Sequence, residues 1–262
     1  VPWRALAMVV LAAACLRAAR CLVAEPVTKD TVVYVAIARH WAESGATGAF
    51  DRNPRLPPLF PGLLAAGERL GLGAEPTGLA LAVLAGALLP AALFLLVRAL
   101  GGSTRLGLLT AILGAVHPML LRNGAEVMRD SLFLLWFVSA LALAAWGTTR
   151  TGPRAAGCWA LAGLVGALGT MTRDEGGELL AIMVAWVAVQ SWRGAGPWLE
   201  RTRRAVTLAT LLFATYFLTL CPVRLALADT GSSWRPVPER LASCWRTVQR
   251  RLPGINGTGD QP

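Results

Sequence analysis

The chain has 262 residues, of which 55% are apolar and 15% charged, and its mean hydropathy is +0.54. A soluble domain carries about 25% charged residues, so an ordinary soluble protein is excluded; apolar runs without a short repeat exclude disordered and fibrous chains as well. The formal net charge is +10, carried by arginine except at Lys29, and these arginines stand between apolar blocks, which excludes a nucleic-acid partner and points to a membrane protein with charged loops.

A helix needs about 20 apolar residues to cross a bilayer, with a range of roughly 17–25. Seven blocks approach this, at about 5–24, 78–97, 106–121, 131–147, 155–171, 177–192 and 205–222. The first is interrupted by Arg17 and Arg20, which either reach an interface or face a bundle interior. A cleaved leader is the rival reading of that block, although its charged start is only Val1 to Arg4 and no clean small-x-small site precedes Glu25. The chain divides into a first span (1–24), an outer loop (25–77), a six-span region (78–222) and a polar tail (223–262), expected to fray around Gly254, Gly257, Gly259 and Pro262. Five cysteines (Cys15, Cys21, Cys158, Cys221, Cys244) show no CxxC spacing and read as small core residues.

Loop charges give an orientation. With the N-terminus in the cytoplasm, the inner loops hold Arg4, Arg98, Arg105, Arg150, Arg154, Arg193, Arg201, Arg203 and Arg204, against the single acid Glu200. The opposite side holds the long 25–77 segment, where acids balance the bases. The positive-inside rule therefore favours N-terminus in and C-terminus out.

Three charged clusters then fall on the outer face at span ends, where charge is costly and a functional site is the default expectation. The first is Lys29-Asp30 with Tyr34. From Asp30 the run TVVYVAIARHWAESG has helical spacing, with Tyr34, Ile37, Ala38 and Trp41 on one stripe and Gly45 ending it; Asp30 is placed to cap the helix. Pro57, Pro58 and Pro61 then force an extended stretch and a short amphipathic helix to about Leu70, expected to lie on the membrane interface through Leu59, Phe60, Leu63 and Leu64.

The second cluster is HPMLLRNGAEVMRDSLFLLWF. Pro118 breaks the third span and Asn123-Gly124 marks a turn. Glu126 and Asp130 are four apart, hence expected on one helix face, with Arg122 and Arg129 as partners. Asp130 with Ser131 also reads as a cap for the next span. His117 is a lone histidine, more readily a span residue than a metal ligand. The third cluster, GTMTRDEGGELLAI, puts Arg173, Asp174 and Glu175 in a tight turn, which is either a solvated loop or part of a site.

Taken in order, an arginine near the end of the first span, D…Y…A…G, PPLFPGLLA, HPMLLRNGAEVMRDSLF and a TRDEG turn resemble the polyprenyl-phosphate-sugar-dependent glycosyltransferases. The resemblance spans about residues 15–190 and is narrowest to the protein O-mannosyltransferases and lipid A aminoarabinose transferases. It implies an all-α, GT-C-like bundle of about seven transmembrane helices, with a long first outer loop containing amphipathic helices. It implies a sugar on a lipid phosphate, moved on the outer face of the inner membrane to a protein, lipid or glycan acceptor. The catalytic acid of the first outer loop corresponds to Asp30, the acid of the second to Asp130, and the arginine–glutamate turn to Arg173 and Glu175. The chain is shorter than such enzymes usually are, as a truncated or minimal form would be.

A polyprenyl phosphate is already a good leaving group, so the chemistry asks for a base and a cation. Asp30 is the candidate base. Arg173 is the candidate phosphate contact, because its fork suits bidentate binding, with Arg122, Arg129 and Lys29 as alternatives. Asp130 and Glu175 bind sugar hydroxyls, hold a divalent cation through oxygen ligands, or orient the arginines. One base and one inline displacement invert the anomeric centre. The competing readings are a non-catalytic protein of the same fold, which need not keep these charges together, and a small transporter, which would carry them mid-membrane.

Overall fold

A computed structural model describes residues 2–23, 28–193, 197–228 and 232–234. Ten helices and no strand occur among them: α1 (Trp3–Cys21), α2 (Lys29–Ser44), α3 (Leu59–Arg69), α4 (Ala74–Ala99), α5 (Thr104–Val116), α6 (Pro118–Asn123), α7 (Asp130–Thr149), α8 (Gly152–Thr172), α9 (Gly176–Arg193) and α10 (Trp198–Ala226). The protein is an all-α membrane protein. Four helices, α4, α7, α8 and α10, are long and apolar enough to span a bilayer. At 1.5 Å per residue α10 is about 43 Å long, while α5 is about 20 Å, short of the hydrocarbon core. The other two expected spans carry charge: α1 holds Arg4, Arg17 and Arg20, and α9 opens near Glu178 and closes on Arg193.

Several boundaries differ from the sequence expectation. The second span starts at Ala74 rather than 78, because Gly73, at φ 81°, turns the chain directly into the helix. The last helix begins at Trp198 and runs to Ala226, into the stretch expected to be tail. The 106–121 block is two helices. Pro118 has no N–H to continue the ladder, so α5 stops, His117 takes an extended conformation and α6 restarts with Pro118 in its first turn. His117 is exposed.

Packing follows the membrane rule that small residues admit close approach. A side chain at Gly147 would strike the Trp159 indole, so α7 and α8 pack through that pair; one at Gly163 would strike the α10 backbone at Leu212. The core of this half is Trp159, Leu179, Met183 and Leu212. Leucines turned outward on α4, α5 and α10, such as Leu84, Leu109 and Leu218, suit a lipid surround. The cysteines are not core residues: Cys15 and Cys221 are exposed, Cys21 and Cys158 half-buried, and Cys244 lies outside the described residues. The Cys21 thiol donates to the Ala125 carbonyl at 3.8 Å, and the exposed thiols of Cys15 and Cys221 need no partner at a lipid-facing surface. The glycines and Pro262 of the expected frayed tail also lie outside the described residues.

α2 and α3 fold over one end of the bundle. α2 forms as expected and ends at Gly45, with Tyr34, Ile37 and Ala38 buried. α3 corrects the interfacial expectation: Phe60 and Leu64 are fully buried, packed with Tyr34, Val35, Ala85 and Val127. Its apolar face meets protein, because α2 covers the surface that lipid would have taken.

Candidate functional site

The end of the bundle beneath α2 and α3 gathers the charges expected to matter. α2 is anchored there by its first turn. Thr28 caps it, accepting the backbone N–H of Thr31 at 3.2 Å, while the Thr31 hydroxyl accepts the N–H of Thr28 at 2.9 Å and donates to the Val127 carbonyl at 3.2 Å. This reciprocal pair of bonds is a capping box. Asp30 is therefore not the cap. Its carboxylate stands exposed one residue into the helix, beside Lys29, also exposed.

Four residues further, the buried Tyr34 ring packs edge-on against Phe60 at 5.3 Å. The Arg129 guanidinium lies over the same ring, 5.8 Å from its centroid. Burial pushes the Tyr34 hydroxyl above its ordinary pKa; Arg129 and Arg173 pull the other way, and Asp30 and Asp130 add to the rise. Tyr34 thus stands within the fields of all four charges.

Arg173 is the hub of the cluster. Its Nε and Nη2 donate to the two oxygens of Glu175 at 3.1 and 3.0 Å, and its Nη1 donates to Asp130 Oδ1. The guanidinium also lies over the Phe133 ring at 5.6 Å. The fork holds Glu175 well below the usual carboxylate range, at about 2, and the same hydrogen bonds raise Arg173. All three guanidinium nitrogens are engaged, so the cation expected to meet phosphate is already balanced by two acids.

Two details of the second cluster differ from expectation. Residues 124–129 are not helical, because Asn123-Gly124 ends α6. Glu126 and Asp130 therefore do not share a helix face. Glu126 pairs with the exposed Arg122 at 2.8 Å instead, and that pair shares no hydrogen bond with Arg173 or Asp130. Asp130 does not cap α7 either: no side-chain cap bond forms there, and the carboxylate turns to Arg173.

Arg129 is the least satisfied cation of the group: its Nη1 is buried and has no hydrogen-bond partner among the described residues. It borders a cleft of about 380 Å³ beneath residues 52–57, whose wall includes Arg52, Asn53, Arg55 and Asp174. No group of three or more His, Cys, Asp or Glu side chains placed to hold a metal ion occurs among the described residues.

Sequence reasoning missed one support of this site and left a second open. Trp234, in the expected tail, is buried, and its indole N–H donates to Asp174 Oδ1 at 3.0 Å. Its neighbour Ser233 donates its N–H to the Pro54 carbonyl at 2.7 Å. The segment thus ties the 173–175 turn to the 52–57 loop; a tryptophan amid polar tail residues was the only signal. The second is Arg17, fully buried, whose Nη1 donates to the carbonyls of Ala13 at 3.0 Å and Ala115 at 3.3 Å, and whose Nη2 reaches Leu120 O at 3.5 Å. It fits between Gly86 and Gly124, where a side chain on either glycine would strike it. Arg17 thus holds the Ala115 carbonyl, which the Pro118 break leaves without a helical partner, and adds to the Gly124 N–H already on the Leu120 carbonyl; Arg20, one turn on, is exposed.

A family model described as dolichyl-phosphate-mannose-protein mannosyltransferase matches residues 55–222, more than half of the chain. The match includes Arg129, Asp130, Arg173 and Glu175 but not Asp30 or Tyr34. No curated protein and no solved structure matches.

Proposed function

The chain belongs to the dolichyl-phosphate-mannose-protein mannosyltransferase family, membrane glycosyltransferases of the GT-C type, and from that premise we propose that it transfers a sugar from a polyprenyl phosphate to an acceptor hydroxyl at the end of the bundle covered by α2 and α3. The observation that carries this reading is that Arg129 lies over the ring of Tyr34, one helical turn from Asp30, while its chain neighbour Asp130 is paired with Arg173. A non-catalytic copy of the fold would have no need to keep them together.

Asp30 is the base. It is exposed to an incoming acceptor and released from capping duty by Thr28. It takes the acceptor proton as the hydroxyl oxygen bonds to the anomeric carbon. The bond from that carbon to the phosphate oxygen breaks, and polyprenyl phosphate leaves with the electron pair. One inline displacement inverts the anomeric centre. Arg129 meets the phosphate, since its Nη1 is desolvated and unpartnered while Arg173 is saturated. Arg173 holds Asp130 and Glu175 in place to receive sugar hydroxyls, and Lys29 and Arg122 add positive potential at the rim. The acceptor is a protein, as the family description says of its members, or a lipid or glycan. The reading places the N-terminus in the cytoplasm, the site on the outer face, and the protein in the inner membrane.

The test is transfer by the full chain from a polyprenyl-phosphate mannose. Asp30→Asn is expected to lower the rate by about 10²–10⁴, the usual contribution of a positioned base, without unfolding α2. Undiminished transfer removes Asp30 from the mechanism. Arg129→Gln is expected to weaken donor binding by about tenfold or more, the scale of one charge-assisted hydrogen bond. Unchanged donor affinity returns the phosphate to another cation.

A further inference from the structure

The opposite end of the bundle carries a second set of arginines in a different chemical state. Two adjoining grooves open there. One, of about 470 Å³, lies between the ends of α4, α7 and α9 and is walled by Arg98, Arg150, Trp146 and Trp186. The other, of about 230 Å³, is walled by Trp159, Arg193 and Arg204, and the two share Thr148 and Gln190. Among the described residues no carboxylate lines either groove. The hydrogen bonds that steady these guanidiniums go to neutral carbonyls: Arg98 Nη1 to Gly102 O at 2.5 Å and Arg204 Nη2 to Arg150 O at 3.3 Å. Glu200, in the first turn of α10, lines neither groove, so among the described residues the charge within them is uncompensated, and four like charges around joined cavities repel one another unless an anion sits among them. The indole nitrogen of Trp186 is a buried donor without a partner in the same wall.

The depth of the grooves identifies the anion. Trp3, Trp192 and Trp198 turn outward at this end, 62%, 73% and 70% exposed. Tryptophans exposed at span ends mark headgroup level, where the ring meets hydrocarbon and the N–H meets water. An anion at that depth beside apolar helix flanks is the phosphate of a membrane lipid. We propose that these paired grooves bind the headgroup of an anionic phospholipid, with Arg98 and Arg150 on its phosphate and Arg193 and Arg204 extending the site. The site is separate from sugar transfer, so a chain without transferase activity would still bind the lipid.

The experiment uses the full chain in detergent, with phosphatidylglycerol, phosphatidylcholine or inorganic phosphate as probe, read by native mass spectrometry and thermal unfolding. Phosphatidylglycerol is expected to bind and raise the unfolding midpoint, and phosphatidylcholine to do so far less. Arg98→Gln and Arg150→Gln are each expected to weaken phosphatidylglycerol binding about fivefold, the scale of one arginine at an anionic surface. Arg39→Gln, which removes a cation paired with Glu75 beneath the other face, should change nothing. Arg150 is exposed and Arg98 half-buried with its Nη1 on a loop carbonyl, so the single variants should fold; Arg193→Gln with Arg204→Gln provides a second pair. Equal binding of both lipids, or full phosphatidylglycerol affinity in the Arg98 and Arg150 variants, overturns the proposal. Displacement of the lipid by inorganic phosphate at matched concentration overturns it too, because the site would then be one for a free anion.

Discussion

The two ends of the bundle hold arginines under opposite conditions. Beneath α2 and α3, Arg173 is clasped by Asp130 and Glu175, and Arg122 by Glu126. At the other end Arg98 and Arg204 rest on carbonyls beside grooves that no acid lines among the described residues. A clasped cation is an organiser, because its charge is spent on fixing the geometry of its carboxylates. An unbalanced cation is a receptor. Arg129 stands with the second kind although it lies at the first end, and that is the reason for giving it the donor phosphate.

The largest effect should come from removing the organiser. Arg173→Leu leaves Asp130 and Glu175 side by side with no cation between them. Transfer is expected to fall to background, and the unfolding free energy by about 1–3 kcal/mol, the cost of stranding partly buried polar groups. Arg150→Leu, at the exposed rim of the other end, should stay within about 0.5 kcal/mol. Denaturant titration of both variants in one detergent compares them directly. Equal losses would erase the distinction between the ends.

Arg17 sharpens the comparison, because it is fixed without any acid. It lies between Gly86 and Gly124, with Nη1 and Nη2 on carbonyls either side of the α5–α6 break and Nε without a partner among the described residues. Arg17→Met is expected to cost about 2 kcal/mol, since the Ala115 carbonyl loses its partner in a site with little water, while Leu120 O keeps the Gly124 N–H. Arg17→Lys should recover part of this, because one ammonium cannot reach both carbonyls as a fork does. A methionine variant as stable as the parent would show that the break supports itself.

The fold class was legible because hydrophobic runs and loop arginines answer directly to a bilayer. The α2 stripe and the break at Pro118 were legible for similarly local reasons: a 3.6-residue period and a missing N–H. What failed was inference across a turn. Glu126 and Asp130 share helical spacing, but Asn123-Gly124 stops the helix before that spacing applies. Asp30 and Asp130 both looked like caps, and both were displaced, the first by the Thr28–Thr31 box and the second by an arginine 43 residues away. The burial of α3 depended on where α2 would lie, which no local pattern records. Trp234 was missed because its partner Asp174 is 60 residues distant.

The smallest expected effect is a pH dependence confined to the clasped end. In the folded protein Glu175 titrates at about 2 rather than 4.5, held down chiefly by the hydrogen bonds from Arg173. A carboxylate with a lowered folded pKa stabilises the fold fully above its open-chain value and loses that contribution as pH falls toward its folded value. The Glu175 contribution is therefore intact above about pH 4.5 and drains away between there and pH 2. Glu175→Gln carries no such titration, so the gap between the unfolding midpoints of the parent and the variant should narrow as pH is lowered from 6 to 3. The partial exposure of the pair makes the change small, because water screens part of the attraction. Among the described residues no carboxylate lines the grooves of the unbalanced end, so Arg98→Gln should shift the midpoint by the same amount at every pH in that range. A gap that stays constant for Glu175→Gln would mean that Arg173 holds this carboxylate no more tightly in the folded chain than water does in the unfolded one.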